Sequence, residues 1–277
     1  MRNEQLKEPL GEVPGSAGPA EAVVDQAASR KTSLLNAYQR DGFAVTEPLY
    51  SAAEIQAMLA VLEQAGSGSG NFRRTAELFA IRNLLTELPA LRPLIWNERF
   101  TGLLNQLLPA PQYLIKAIYF DKPAGSNWVV AWHQDLMVAV DRRAELPGFG
   151  PWKVKPEGVT VQPPREYLAS ICTLRIHLDA CDAGNGALRV VPGSHRQGVI
   201  AAADIADFTP AATFCPVPAG AVMLMKPLTL HASHRSTDER PRRVIHLEFS
   251  SQTLPGGLRW REAATLLNDA EPVHSTS

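Results

Sequence analysis

Cysteine is scarce in this chain: Cys172, Cys181 and Cys215 are its only three among 277 residues, odd in number and in no C-x-x-C arrangement. That excludes a disulfide framework and a cysteine-based structural zinc site, and it predicts a reducing compartment. Apolar runs are short as well. None reaches the roughly 18 residues of a membrane-spanning helix, and Met1 to Gly18, polar and rich in Pro, Gly and Glu, lacks the apolar stretch of a secretory leader. A cytoplasmic protein with no membrane partner is therefore expected. Charge of either sign is not in excess either, because the formal net charge is −1, so no overall field draws the chain to nucleic acid. No basic cluster marks a nucleotide-bearing coenzyme. A small-molecule substrate is the partner left, bound by a monomer or homodimer.

What is present supports a sizeable core, since 45% of residues are hydrophobic and 20% charged. Residues 1–31 are small and polar and are predicted to be disordered, and 32–277 to form a single domain. A short helix is expected from Ser33 to Tyr38 and a strand from Gly42 to Thr46. Ser51-Ala52-Ala53-Glu54 is a capping box before Ile55, Met58, Leu59 and Leu62 at helical spacing, and that helix should stop in the Gly66-Ser67-Gly68-Ser69-Gly70 loop. A second helical stretch is expected over Pro89 to Leu108. From Tyr113 onward the chain reads as strands: Tyr113 to Phe120, Trp128 to Val140, Ile171 to Asp179, Ala187 to Val191, Ala221 to His231 and Arg243 to Ser250. Asp182 to Gly186 is expected to be a hairpin connector. The pattern predicts a mainly β fold with flanking helices (α+β), a jelly roll or related double-sheet barrel.

Two strands alternate strictly. Cys172, Leu174, Ile176 and Leu178 share one face, and Thr173, Arg175, His177 and Asp179 the other; Arg242, His246 and Glu248 oppose Ile245, Leu247 and Phe249. The polar faces could be a solvated sheet surface or the lumen of a barrel around a site. His133-Gln134-Asp135 supplies the candidate for that site. Residues i and i+2 of a strand point to one face, so this imidazole and this carboxylate can reach one ion, and with a second histidine they make the 2-His-1-carboxylate set that holds Fe(II) with one side open.

The chain resembles the phytanoyl-CoA dioxygenase-like family of Fe(II)- and 2-oxoglutarate-dependent oxygenases. The likeness rests on Tyr119-Phe120-Asp121-Lys122-Pro123, Asn127-Trp128, Trp132-His133-Gln134-Asp135-Leu136, Gly184 to His195, Pro227 to Ser233 and Pro241-Arg242-Arg243, all in family order over roughly residues 34 to 260. It implies a double-stranded β-helix (a cupin-like jelly-roll barrel), with His133, Asp135 and His231 as iron ligands. His234 competes with His231 but falls on the opposite strand face. The resemblance implies that Arg242, eleven positions after His231, holds the distal carboxylate of 2-oxoglutarate through a planar guanidinium, helped by Ser233, with Lys116 a further candidate. Arg243 reads as a structural ion pair, and Lys116 reads equally as a solvated lysine. Arg175, Trp128 and Trp152 are candidate substrate contacts, Trp152 within a Leu146-to-Trp152 loop suited to a lid. Arg175 could instead pair with Asp179. His177, His195 and His246 read as satisfied structural histidines.

The implied activity is hydroxylation of a small natural product or other metabolite, with 2-oxoglutarate and O2 converted to succinate and CO2. Halogenating relatives replace the carboxylate ligand with a small residue, and Asp135 is retained here. Two other readings are a cupin-like metalloenzyme, isomerase or hydrolase, that uses its metal as a Lewis acid, and a non-catalytic barrel with structural histidines. Arg242 stands against the first, and the complete ligand triplet against the second.

Overall fold

A computed structural model describes residues 32–65, 71–74, 79–123, 128–155 and 158–263; the disorder expected of 1–31 and the loop expected at 66–70 fall outside these. The strands are β1 (Phe43–Val45), β2 (Phe72–Arg74), β3 (Phe79–Arg82), β4 (Tyr113–Lys122), β5 (Val130–His133), β6 (Val138–Val140), β7 (Trp152–Lys155), β8 (Gly158–Val161), β9 (Cys172–His177), β10 (Leu188–Val190), β11 (Thr213–Phe214), β12 (Val222–Met225), β13 (His231–Ser233) and β14 (Arg242–Ser250). They build a seven-stranded sheet in the order β1-β12-β9-β14-β4-β3-β2, a four-stranded sheet β11-β10-β13-β5 and a small sheet β6-β8-β7. The chain crosses from the large sheet to the second one at β4 to β5, β9 to β10 and β12 to β13, and crosses back at β11 to β12 and β13 to β14. That is the jelly-roll architecture the strand pattern predicts.

The alternation explains how the large sheet is buried on both sides. Leu174, Ile176, Ile245, Leu247 and Phe249 face a layer of helices, packing with Met58, Leu62, Leu84, Ile95 and Phe100 in the main core. Burying each such side chain contributes about 1.5–3 kcal/mol. The covering helix Ala52–Glu63 starts as its sequence requires: Ser51 accepts from the Glu54 amide while Glu54 reaches back to the Ser51 amide at 2.7 Å. Thr173, Arg175, His177, Arg242, His246 and Glu248, on the opposite faces, are all buried too. The polar faces therefore line the lumen, and the solvated-surface alternative is excluded. One side of the lumen is filled by apolar groups, among them Val190, Met223 and Met225.

Four segments differ from their sequence-based expectation. The helical stretch from Pro89 to Leu108 is broken at Trp96, because Asn97 leaves the helix to accept from the Phe100 amide and start Glu98–Leu107 anew. Ala221 to His231 is two strands in different sheets, parted by a turn at Lys226 to Thr229 that contains Pro227. Trp128 to Val140 breaks after His133, as the chain leaves the second sheet for the small one. Asp182 to Gly186 joins β9 to β10, strands of different sheets, and is no hairpin; Asn185 pins it through Asp182 N, the Ala180 carbonyl and the Pro241 carbonyl.

Candidate metal and co-substrate site

His133 and His231 are cross-strand partners on β5 and β13, and their rings lie 4.2 Å apart between centroids. Each Nδ1 donates to a backbone carbonyl, His133 to Ala131 at 2.8 Å and His231 to Thr229 at 2.9 Å. In the neutral ring this leaves the Nε2 lone pair of each free, the tautomer a metal ligand requires. Asp135 completes the group: Oδ1 is 3.7 Å from His133 Nε2, and Oδ2 is 3.8 Å from His231 Nε2. Asp135 Oδ2 is buried without a hydrogen-bond partner. Burial alone would raise this carboxyl, but His231, Lys116, His246 and His133 outweigh it and hold it well below the usual carboxylate range. Burial pushes His231 down to about 4. At neutral pH the site is thus an ionised carboxylate beside a neutral buried imidazole, a donor set that fits a divalent cation. His234 is exposed and pairs with Arg189 at 3.2 Å, outside the group.

Gln134 points the other way and anchors the segment. Its amide donates to the Gly198 carbonyl at 2.8 Å and to Leu228 at 2.7 Å, and its oxygen accepts from Ile200 N at 2.8 Å. Sequence parity gives its direction; the loops it grips were not legible, because they come from distant parts of the chain.

Arg242 opens β14 with only 3% of its surface exposed, and its Nε and Nη1 have no hydrogen-bond partner. Arg175 Nε and both ring nitrogens of His177 are buried and unpartnered as well. His177 is therefore not the satisfied wall residue expected. Burial and the charges of Arg175 and Arg242 keep it neutral, its pKa well below the ordinary value. Ser233 is buried on β13, with Oγ 3.3 Å from the Gly186 carbonyl and 3.4 Å from that of His234. Arg243 does form the expected structural pair, with Asp179 at 2.8 Å, which removes Asp179 as a partner for Arg175.

Arg175 joins a different chain of contacts. Its Nη1 lies 2.9 Å from His246 Nδ1, His246 Nε2 is 2.9 Å from Glu248 Oε1, and Lys116 Nζ is 2.6 Å from the same oxygen. Lys116 also donates to the Met137 carbonyl at 3.3 Å, so it is paired and four-fifths buried instead of solvated. Asp135, His246 and Glu248 lie close enough that one ligand atom from each falls within 4.8 Å of the others. Trp128 stacks on Phe120 at 6.4 Å, and Phe120 meets His246 edge-on at 6.1 Å. Trp152 opens β7 instead of sitting in a free lid, and packs against the apolar cluster of Val138, Val161 and Leu168.

The barrel is the fold of non-haem, 2-oxoglutarate-dependent enzymes. It superposes on the α-ketoglutarate-dependent epimerase SnoN from nogalamycin biosynthesis with a TM-score of 0.62 at 17% identity, covering 90% of this chain and 93% of that one. HygX from Streptomyces hygroscopicus, solved with nickel and 2-oxoglutarate bound, gives 0.57 at 15% identity over 79% and 86% of the two chains. The family model for phytanoyl-CoA dioxygenase (PhyH) matches residues 38–244, and the chain belongs to that family. The ectoine dioxygenase of Bordetella parapertussis is 28% identical over 171 residues, 59% of this chain and 49% of that protein. The match thus spans about half the length of that relative.

Proposed function

We propose that the protein is an Fe(II)- and 2-oxoglutarate-dependent dioxygenase that hydroxylates a small metabolite, releasing succinate and CO2. The observation that carries this reading is the buried, unpartnered guanidinium of Arg242 in the same lumen as the His133, Asp135 and His231 donors. A buried cation without a counterion costs several kcal/mol, a cost offset when a carboxylate binds. A metal-only Lewis-acid enzyme gives Arg242 nothing to hold, and a structural barrel gives the three converging ligand atoms no purpose.

His133, Asp135 and His231 would hold the iron, which when bound supplies the one-electron and O2 chemistry. The protein's own groups do the rest. The Ala131 and Thr229 carbonyls fix the ligand tautomers, and Gln134 fixes the strand end that carries two of the ligands. Arg242, with Ser233 beside the same end, would orient the dicarboxylate co-substrate, and Lys116 sits on the metal's side through its charge on Asp135. Arg175 and Trp128 border the remaining lumen and are the candidate substrate contacts. The name of the ectoine dioxygenase relative and the natural-product setting of SnoN support a natural product or other metabolite as substrate. Retention of Asp135 favours hydroxylation over halogenation. The test is succinate formation by the Fe(II)-loaded protein with 2-oxoglutarate and O2 across a panel of candidate metabolites. Succinate that depends on substrate and disappears in His231→Ala supports the reading; no succinate from a protein shown to bind both iron and 2-oxoglutarate overturns it.

A further inference from the structure

Arg175 enters the lumen from β9 as the register partner of His246, four residues along β14 from Arg242. At about 3.3 Å per residue the two arginine positions are about 13 Å apart along the sheet, and Arg175 belongs to the level of His246 and Asp135. It is buried, and the way it is held is unusual for a buried cation. A guanidinium can only donate, so in the 2.9 Å contact from Arg175 Nη1 the His246 Nδ1 accepts. The ring proton is then on Nε2, which donates to Glu248 Oε1 at 2.9 Å. His246 is thus a neutral imidazole of one tautomer, fixed by a carboxylate that Lys116 already pairs. It orients the arginine without neutralising it. Glu248 and Asp179, the acidic side chains that could serve as counterions, are committed to Lys116 and Arg243. Among the described residues Arg175 makes no hydrogen bond besides the one from Nη1, and its Nε is buried with no partner.

The edge left over is Nε with Nη2, whose parallel N–H groups match the two oxygens of one carboxylate. Charge points the same way. Among the described residues the lumen faces of β4, β9 and β14 carry four cations, Lys116, Lys122, Arg175 and Arg242, against two carboxylates, Glu248 and the metal donor Asp135, an excess of two positive charges. A divalent metal and a dianionic co-substrate bring equal and opposite charge, so loading the site with both leaves that excess as it was. On the reading given above the co-substrate lies between the metal and Arg242, which leaves Arg175 for a different molecule. A buried cation without a counterion is unfavourable, and an anionic substrate relieves this where a neutral or cationic one does not.

Resting on the oxygenase reading, we propose that Arg175 binds a carboxylate of the substrate through its Nε–Nη2 edge, so that the substrate class is a carboxylic acid and not a neutral or cationic metabolite. The probes are matched pairs of a small carboxylic acid and its primary amide, which differ in charge and little in shape: benzoate and benzamide, cyclohexanecarboxylate and its amide, proline and prolinamide. Each is titrated calorimetrically, without oxygen, into protein loaded with Fe(II) and 2-oxoglutarate. Hydrogen bonds to a charged group predict that at least one acid binds about 10- to 100-fold tighter than its amide. Arg175→Met should bring that acid to the level of its amide, whereas Arg175→Lys, which keeps the charge but not the two-pronged edge, should keep part of the preference. Both variants should bind 2-oxoglutarate within about twofold of wild type, which shows them to be folded and separates the two sites. A wild type that prefers no acid over its amide, including one that binds none of the probes, overturns the proposal. So does a preference that survives in Arg175→Met, or a loss of 2-oxoglutarate equal to that of the acid in both variants. Iron-loaded wild type that fails to bind 2-oxoglutarate overturns instead the oxygenase reading beneath it.

Discussion

The buried pair of Lys116 and Glu248 offers the sharpest physical test of the lumen. The ion pair is 2.6 Å long, Glu248 is 2% exposed and Lys116 20%. At an effective dielectric constant of about 20 the attraction is about 6 kcal/mol, and desolvation of two ions, several kcal/mol each, cancels most of it. The pair as a whole should therefore add little, whereas removing one partner strands the other. Lys116→Met leaves a carboxylate that only His246 contacts, at 2.9 Å, and should cost about 4–5 kcal/mol. Glu248→Gln should cost about 3 kcal/mol, because the remaining ammonium is the more exposed partner, still reaches the Met137 carbonyl, and the amide oxygen can still accept from His246. The double variant should lose less than the worse single one, a coupling of about 3 kcal/mol or more. Urea unfolding of all four proteins at pH 7 measures it. Additivity to within about 0.5 kcal/mol, the behaviour of an exposed pair, would refute the lumen electrostatics described above.

Ser51→Ala removes the capping box and should cost about 1 kcal/mol in the same assay. Gln134→Ala strands two carbonyls and one amide from two loops and should lower stability by about 2–4 kcal/mol; it should weaken iron binding although Gln134 is not a ligand, which calorimetric titration reads. His177 is held neutral in the folded protein, so its folded pKa lies below the unfolded value of about 6.5. Its contribution is complete above that pH and is lost as pH falls through and below it, by about 1.4 kcal/mol per unit. Stability measured between pH 7 and 5 should accordingly fall less steeply in His177→Gln than in the metal-free wild type; parallel curves would show that His177 is not held neutral.

Period-two alternation in β9 and β14 made the barrel legible, because a strand with one apolar and one charged face fixes which side meets the helices. It could not show that the charged face is interior; that follows from the second sheet and its apolar cluster closing over it. The i, i+2 spacing of His133 and Asp135 was legible for the same reason, and so was the parity that separates His231 from His234. The Lys116–Glu248–His246–Arg175 chain was not. Its members come from separate strands, at separations such as 132 residues for Lys116 and Glu248, and only the register of β4 against β14 and of β14 against β9 brings them together. Likewise the break at Trp96 turns on Asn97 capping the next helix, a contest between a local cap and a continuing apolar pattern that periodicity alone does not decide.

SnoN, an epimerase, has this same barrel, so the fold alone does not set the reaction outcome, which must depend on what approaches the donors and from where. The His231 side chain is 5% exposed, Asp135 22% and His133 38%. The lumen is therefore sealed behind His231, where its strand partner Val190 belongs to the apolar cluster with Met223 and Met225, and open on the His133 side. Among the described residues, the donors are most accessible on the His133 side. On the hydroxylase reading proposed above, the choice among C–H bonds therefore depends on the orientation in which a substrate enters from that side, and not on the metal donors alone.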